Sequence, residues 1–254
     1  MFFFNVFRVA VVISGVWFVF GNIPLGYSEK LKIPKKVSNG QVLVHAGGCV
    51  NCHTDYTNNG TLLAGGKKIK TPFGTFYSPN ITSDKMEGIG KWSDEDFIGA
   101  MRKGIAPDGS HYFPAFPYTS FTLLRDKDLK AIKDYIFSLP GSPEPNKQHE
   151  LAFPFNVRLG QVLWKSLYFS EGPYEFDPKK SNRWNRGAYL SRAVTHCGEC
   201  HTRRNVMGGL NQDFWYAGEP KGREADGEGA PNITPHLSNG IGNWSLDQIA
   251  TYLE

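Results

Sequence analysis

The chain carries one short motif twice, Cys-x-x-Cys-His, and the two copies use every cysteine that it has. The first copy is CVNCH at residues 49–53, and the second is CGECH at residues 197–201. A disulfide framework scatters its cysteines, and a zinc site usually gathers its ligands within a few tens of residues. Here the pairs lie in opposite halves of the chain, so neither kind of site fits. A thioredoxin-like pair needs no adjacent histidine.

The spacing C-x-x-C-H is that of covalent haem attachment. The two thiols bond to the haem vinyl groups, and the adjacent histidine reaches the iron from the proximal side. The sequence therefore predicts two covalently bound haem c groups. The predicted attachment residues are Cys49, Cys52, Cys197 and Cys200, and the predicted proximal iron ligands are His53 and His201.

The segments around the motifs are repeated as well. Residues 79–102, PNITSDKMEGIGKWSDEDFIGAMR, align without a gap with residues 231–254, PNITPHLSNGIGNWSLDQIATYLE. Upstream, residues 40–54 match residues 187–202 with one insertion. A repeat of this kind predicts two copies of one structural unit. Because the second copy stops at the position that matches Arg102, we expect it to be incomplete at its C-terminus, as in a fragment of a longer gene product.

The secondary-structure pattern of each copy is helical. Helices are expected over 38–47 and 184–195, and capping boxes at Ser93 and Ser245 predict the start of a further helix in each copy. Asp126 is expected to cap another helix, which Pro140 and Gly141 would end. Nothing in the pattern demands a sheet, so the predicted fold class is all-α.

Several longer phrases resemble the dihaem c-type cytochromes and are similar to the cytochrome subunits of bacterial membrane-bound alcohol and sugar dehydrogenases. They are CVNCHT, TPFGTFYSPNIT, GIGKWSDEDF, GIAPDGSHYFPAFPYTSF and the repeated CGECHT with its PNIT and GIGNWS. The resemblance covers about residues 38–254. It implies two tandem cytochrome c-like haem modules, the second truncated at its C-terminus. We place module one at 36–140, a linker with an apolar helix at 141–183, and module two at 184–254.

The resemblance also implies electron carriage in the periplasm. The expected electron donor is a membrane-bound or periplasmic dehydrogenase, and the expected acceptor is a cytochrome or a terminal oxidase. Each iron in this family is ligated by histidine and usually by methionine. The carbonyls of Pro79 and Pro231, which open the repeated PNIT segments, are expected to accept a hydrogen bond from the proximal histidine rings. Trp92 and Trp244 either contact haem propionates or, as we prefer, fill the core.

The distal ligand of the first haem departs from the family pattern. Relatives often read PAMPY with the methionine as ligand, whereas this chain has Phe116 there, and phenylalanine has no lone pair for iron. Leu123 and Leu124 stand where some relatives carry another methionine. The remaining candidates are Met101, Met86 and His111. We favour Met101, but a core methionine beside the haem and an open distal site both stay open. Met207 in module two is read as packing.

The N-terminus predicts export. Residues 1–28 contain Arg8 and then an apolar run, Val9 to Phe20, which has the length of a signal-peptide core and is short for a membrane span. An uncleaved anchor in the inner membrane is the alternative, although the lysines at 30, 32, 35 and 36 disfavour it. The expected location is the periplasm, either soluble or anchored.

The remaining sequence features limit the kinds of partner and activity that we expect. A net charge of +4 without a basic run gives no reason to expect nucleic acid. The apolar segment 151–169 is read as a helix packing the modules together, with a docking surface for a dehydrogenase or a membrane as the alternative. No nucleophile–base constellation is found, so we predict an electron-transfer protein and no enzyme. The alternative is a dihaem enzyme with an open haem site, peroxidase-like or thiosulfate-oxidising.

Overall fold

The computed structural model describes residues 38–219 and 229–253. The signal peptide or anchor predicted for residues 1–28 lies outside the described residues. Among those described, the regular structure is mainly helical, and most of the helices are joined by loops. The helices are α1 Asn39–Ala46, α2 Cys49–His53, α3 Asp94–Lys103, α4 Tyr118–Phe121, α5 Asp126–Phe137, α6 Gly160–Tyr168, α7 Asn182–Tyr189, α8 Gly198–His201 and α9 Leu246–Leu253.

The predicted capping boxes are confirmed. The Ser93 hydroxyl accepts from the backbone N–H of Asp96, and the Asp96 carboxylate accepts from the backbone N–H of Ser93. Ser245 and Gln248 exchange the same pair of bonds before α9. These bonds satisfy N–H groups that have no partner inside the helix, so each helix has a defined first turn.

The expected cap at Asp126 is wrong. Arg125 is the N-cap of α5 and makes no side-chain capping bond, while Asp126 is the first helical residue. Its carboxylate forms a salt bridge with Arg102 instead. The Arg102 guanidinium also donates to the carbonyls of Thr122 and Leu124, so this ion pair ties the end of α3 to the start of α5.

A small sheet corrects the purely α-helical prediction. Strand β1, Lys68–Thr71, pairs antiparallel with β2, Gly74–Tyr77, and β2 pairs antiparallel with β3, Glu150–Leu151. Strands β1 and β2 are four residues each and are half-buried, and the partner β3 is remote in sequence. Such short strands give little periodic pattern, which is why sequence reasoning missed them.

Helix α7 ends earlier than predicted and continues as a π-helical turn over Leu190–Val194. The backbone N–H of Thr195 bonds to the carbonyl of Leu190, which is the wider π-type ring. The sequence repeat has its one-residue insertion in this same segment. An extra residue in a helix is commonly absorbed as such a bulge.

Both halves contribute to one apolar core. Helix α1 packs on α5, with Leu43 and Val44 buried against Leu129 and Ile132. Close approach of these helices requires Gly40, because a Cβ there would lie 2.0 Å from the carbonyl oxygen of Ala131. Tyr189, from the second half, is fully buried in the same core. Its hydroxyl donates to the Asp128 carboxylate at 2.6 Å.

Helix α6, in the predicted linker, contacts both halves, as expected for a packing helix. The Lys165 ammonium donates to the carbonyls of Lys103 and Gly104, at 2.7 Å each, where α3 ends. The Trp164 indole donates to the carbonyl of Met207 at 2.8 Å. The described helices include none with the length and apolar character needed to cross a membrane. The module boundaries themselves stay predictions.

Candidate functional site

Each CxxCH motif forms a single helical turn, α2 in the first half and α8 in the second. Residues three apart lie on the same side of a helix, so the turn presents both thiols of a pair in one direction. All four cysteines lie in the described part of the chain, and none forms a disulfide. Burial and the neighbouring Cys52 raise the pKa of the Cys49 thiol to about 12.

The ring of each motif histidine is held by a backbone carbonyl. Nδ1 of His53 lies 2.7 Å from the carbonyl oxygen of Pro79, and Nδ1 of His201 lies 2.7 Å from that of Pro231. A carbonyl only accepts hydrogen bonds, so Nδ1 carries the proton and Nε2 keeps its lone pair. Burial lowers the pKa of His53, although the Pro79 bond opposes that shift. Both rings are therefore arranged to offer Nε2 to a metal.

Several hydrogen bonds of the loops around the first motif recur around the second. The Thr54 hydroxyl accepts from the backbone N–H of Leu63, and the Thr202 hydroxyl accepts from that of Tyr216, at 3.1 Å each. Within the two PNIT segments, the side-chain oxygens of Asn80 and Asn232 accept from the threonine two residues later. The sequence repeat is thus a repeat of hydrogen bonds, which gives both histidines the same support.

A cavity of about 400 Å³ opens beside the first motif. Cys49, Cys52 and His53 lie on its wall. Most of the remaining wall is apolar and comes from the β1–β2 hairpin, the segment between it and α3, α3 itself, α5 and the segment before α5. The apolar lining includes Ile69, Phe76, Ile81, Ile89, Trp92, Phe97, Ala100, Met101, Phe113, Phe116, Phe121, Ile132 and Ile136. Two thiols, one oriented imidazole and an apolar wall fit a covalently attached haem.

The structure separates the three candidate distal ligands. Met101 is buried and lies on the cavity wall. Met86 is 79% exposed and contacts the Lys91 ammonium, and His111 is not among the cavity-lining residues. Phe116 also lines the cavity, so the residue in place of the family's usual methionine faces the predicted haem. Of the three candidates, Met101 is the one placed to reach it.

The second motif has a more open surrounding among the described residues. Trp244 is 42% exposed and meets the Tyr252 ring edge-on, with 5.7 Å between ring centroids, so the expectation that it fills the core is wrong. Trp92, its counterpart in the first half, is half-buried and packs against the core, as predicted. Leu246 and Leu253 of α9 are likewise exposed.

Sequence reasoning missed several residues of the cavity wall. Lys147, His149 and Arg158 reach it from the segment read as a linker. His149 Nδ1 accepts the backbone N–H of Tyr77 at 3.2 Å, which leaves the ring proton on Nε2. Arg158 stacks over Phe113 at 5.1 Å. Isolated basic residues in the predicted linker carry no sequence pattern that would have placed them at this cavity. His196, just before the second motif, also lines this cavity.

The cytochrome c family model matches residues 37–140. A dihaem c-type cytochrome from Cereibacter sphaeroides is 40% identical over 223 residues, which cover 86% of this chain and 72% of that protein. The fructose dehydrogenase cytochrome subunit of Gluconobacter japonicus is 40% identical over 220 residues, covering 86% of this chain and 44% of that subunit. The cytochrome c subunit of a quinone-type alcohol dehydrogenase from Gluconobacter oxydans is 35% identical over 228 residues, covering 86% and 46%.

The chain spans less than half of the length of the two dehydrogenase subunits, but nearly three quarters of the dihaem cytochrome. These matches cover 86% of this chain, so they extend well beyond residues 37–140. Identity at this level over most of both chains establishes common descent with the dihaem cytochrome. The chain therefore belongs to the dihaem c-type cytochrome family, which includes cytochrome subunits of bacterial dehydrogenases.

Proposed function

We propose that this chain is an electron-transfer protein with two haem c groups, one at each CxxCH turn. The observation that carries the proposal is the matched pair of imidazole–carbonyl bonds, His53 to Pro79 and His201 to Pro231, each 2.7 Å long. Two turns with the same thiol spacing and the same oriented histidine support two equivalent attachments. Bound haem c supplies a one-electron couple between ferrous and ferric iron.

The cavity wall has groups that suit both the apolar ring and the propionates of the first haem. Haem carries two propionate carboxylates as well as an apolar ring. Lys147, His149 and Arg158 bring donors and positive charge to the same cavity whose remaining wall is largely apolar. We assign the propionates to these side chains, since charge-assisted hydrogen bonds to carboxylates are the strong ones. The predicted linker is then part of the first haem site.

The proposed partners follow from the relatives' names. Those names describe cytochrome subunits of fructose and alcohol dehydrogenases. We propose a membrane-bound or periplasmic dehydrogenase as the electron donor and a cytochrome or terminal oxidase as the acceptor. The export pattern of residues 1–28 supports a periplasmic location, either soluble or anchored to the inner membrane.

The direct test is the intact mass of protein matured in a host that attaches c-type haem. Two haem additions are expected, and replacing Cys197 and Cys200 with alanine should leave one. Replacing Cys49 and Cys52 should also leave one, which serves as the matched arm. No addition, or a single addition in the unaltered chain, would defeat the proposal.

One observation favours a second function. Phe116 places a ring without a lone pair on the wall of the first cavity, where relatives often have methionine. An iron without a sixth protein ligand binds small molecules and would suit a peroxidase-like or thiosulfate-oxidising enzyme. Carbon monoxide added to the reduced Cys197→Ala, Cys200→Ala protein, which keeps only the first haem, separates the two functions. A closed carrier leaves the ferrous spectrum unchanged, whereas an open site shifts the main absorption band.

A further inference from the structure

The second CxxCH segment touches the cavity of the first. Nε2 of His196 donates to the carbonyl of Gly47 at 3.2 Å. The imidazole also meets the Phe121 ring edge-on, with 5.2 Å between ring centroids. Gly47, Phe121 and His196 all line the first cavity, while His196 is bonded directly to Cys197. A residue of the second segment thus forms part of the wall around the first.

The left-handed backbone at His196 indicates that the imidazole ring has a role at this position. The residue before the first cysteine is Gly48 in the first motif, with φ of +69°, and His196 in the second, with φ of +39°. Glycine adopts the left-handed region freely, whereas histidine does so at a cost in free energy. Glycine serves at the matching position, so the chain keeps a strained histidine where its ring reaches the first cavity.

Glu199 makes a second connection from inside the motif. One carboxylate oxygen accepts from the hydroxyls of Thr119 and Ser120, at 2.7 Å each. The other accepts from the Arg204 guanidinium at 2.6 Å. The Glu199 side chain is only 8% exposed, so these donors are its compensation for leaving water. Thr119 and Ser120 belong to α4, the turn between the cavity residues Pro117 and Phe121.

We propose that the second CxxCH segment is a working part of the first haem site, with His196 and Glu199 as the residues that position its wall. His196 supports Phe121 and the loop before Cys49, and Glu199 holds α4 in place. Access of small molecules to the first iron is then set by residues of the second motif. The inference rests on the proposed function, because it presumes a haem at Cys49 and Cys52.

His196→Gly tests the first connection in the full-length haem protein. The variant copies Gly48, so the left-handed backbone is kept and only the ring is lost. In the Met101→Leu background, in which the first iron has no sulfur ligand, we expect carbon monoxide to associate with the ferrous first haem faster, by roughly threefold to tenfold, the range that one lost neutral hydrogen bond gives. Unchanged association would overturn the role of His196.

A control in protein without the first haem shows at which haem the effect occurs. In protein with Cys49→Ala and Cys52→Ala, which lacks the first haem, His196→Gly should leave carbon monoxide binding as it was. The same acceleration in that background would place the effect at the second haem and overturn the proposal.

Glu199→Gln tests the second connection, with Glu219→Gln as its control. Both carboxylates are buried and both accept from Arg204, Glu219 from its backbone N–H at 2.9 Å. Of the two, Glu199 is the one bonded to α4. We expect Glu199→Gln to raise the reduction potential of the first haem, because losing a buried negative charge favours ferrous iron, and Glu219→Gln to shift it less. We call the two hydrogen bonds from α4 to Glu199 the α4 clamp. Equal shifts of the potential in the two variants would contradict a role for this clamp.

The hydrogen bonds between α4 and Glu199 can also be weakened by a change in α4. Ser120→Ala removes one of its hydroxyls without touching the second motif, and it remains informative if Glu199 variants fail to mature. Combined with Glu199→Gln it should be non-additive in the first-haem potential, because both changes break one contact. Additive shifts would overturn the coupling. A chain with fewer than two haems defeats the proposed function, whereas two haems with an unaffected first site defeat this inference alone.

Discussion

At the scale of single residues, the proximal histidines are oriented by backbone carbonyls and not by carboxylates. The bonds to Pro79 and Pro231 fix the tautomer without adding a negative charge beside the ring. Neutral imidazole with a free Nε2 is the form that binds iron, so the fold prepares both predicted ligands in advance. The CxxCH motif supplies no distal ligand, and Met101 is the candidate that we favour for the first haem.

Met101→Leu should distinguish a sulfur ligand from a core methionine. Leucine has nearly the same volume, so the cost in packing is small, usually below about 1.5 kcal/mol. If the sulfur binds iron, the weak absorption band of ferric sulfur ligation is lost and carbon monoxide binds the ferrous first haem. Met86→Leu, at a residue 79% exposed, should change neither property. A wild-type protein whose first haem already binds carbon monoxide, with Met101→Leu no different, would favour the open-site enzyme.

At the scale of elements, an ion-pair cluster joins α3 to α5 beside the haem cavity. The Asp94 carboxylate, in the first turn of α3, accepts from the ammonium groups of Lys133 at 2.7 Å and Lys130 at 2.9 Å. These hydrogen bonds lower the pKa of Asp94 to about 2. The helix that carries Met101 is thereby tied to the helix that packs on α1.

Asp94→Asn should lower the melting temperature of the haem protein near neutral pH. The folded pKa lies below the ordinary value of 3.8, so this stabilisation is fully present above about pH 4 and is lost as the pH falls towards 2. The difference between the variant and the wild type should therefore shrink over that interval. Asp134→Asn, an exposed carboxylate on α5, makes the same change of charge as a control. A difference independent of pH would contradict the linkage.

The turn that ends α3 depends on Gly104. Its φ is +61°, and a Cβ there would lie 2.5 Å from the Tyr118 ring. Gly104→Ala should lower the free energy of unfolding by the left-handed backbone cost, about 1–2 kcal/mol, and by a further overpacking cost of about 1–3 kcal/mol. Gly109→Ala, with φ of +82° and no atom within 4 Å, should show the backbone cost alone. Chemical denaturation measures both, and equal losses would argue against the ring contact.

At the scale of the whole molecule, the haem cavity lies inside the shared core. Met101, Phe97, Phe121 and Ile132 are members of the buried cluster that also contains Tyr189 from the second half. A haem in this cavity would complete that core, so the stability of the chain should depend on attachment.

Cys49→Ala with Cys52→Ala should leave this cavity without its covalently attached group. The wall then loses its packing partner, so amide hydrogen exchange should accelerate in α1, α3 and α5. Cys197→Ala with Cys200→Ala is the control, because those thiols are not on the wall of this cavity. Equal protection of α1, α3 and α5 in both double variants would contradict a haem in the first-half core.

Local chemistry in the sequence determined the attachment motifs, the helix starts and the repeated loops. The CxxCH spacing, the capping boxes at Ser93 and Ser245, and the PNIT repeat depend on neighbours within a few residues, and each appears where it was predicted. The carbonyls of Pro79 and Pro231 were predicted from the family resemblance. The order of helices around the first motif also follows from local signals, since apolar periodicity and capping act over a single turn.

Only the tertiary structure decided the rest, because the deciding contacts join residues far apart in the chain. Strand β3 pairs with a hairpin that lies about 75 residues earlier in the chain, and Asp126 leaves its expected cap to meet Arg102. Burial and a place on the cavity wall separate Met101 from Met86, although the sequence offers both methionines as candidates. The same holds for His196, whose ring lies in a cavity built by the other half of the chain. Sequence patterns report the periodicity of one element, while these contacts depend on which elements the shared core brings together.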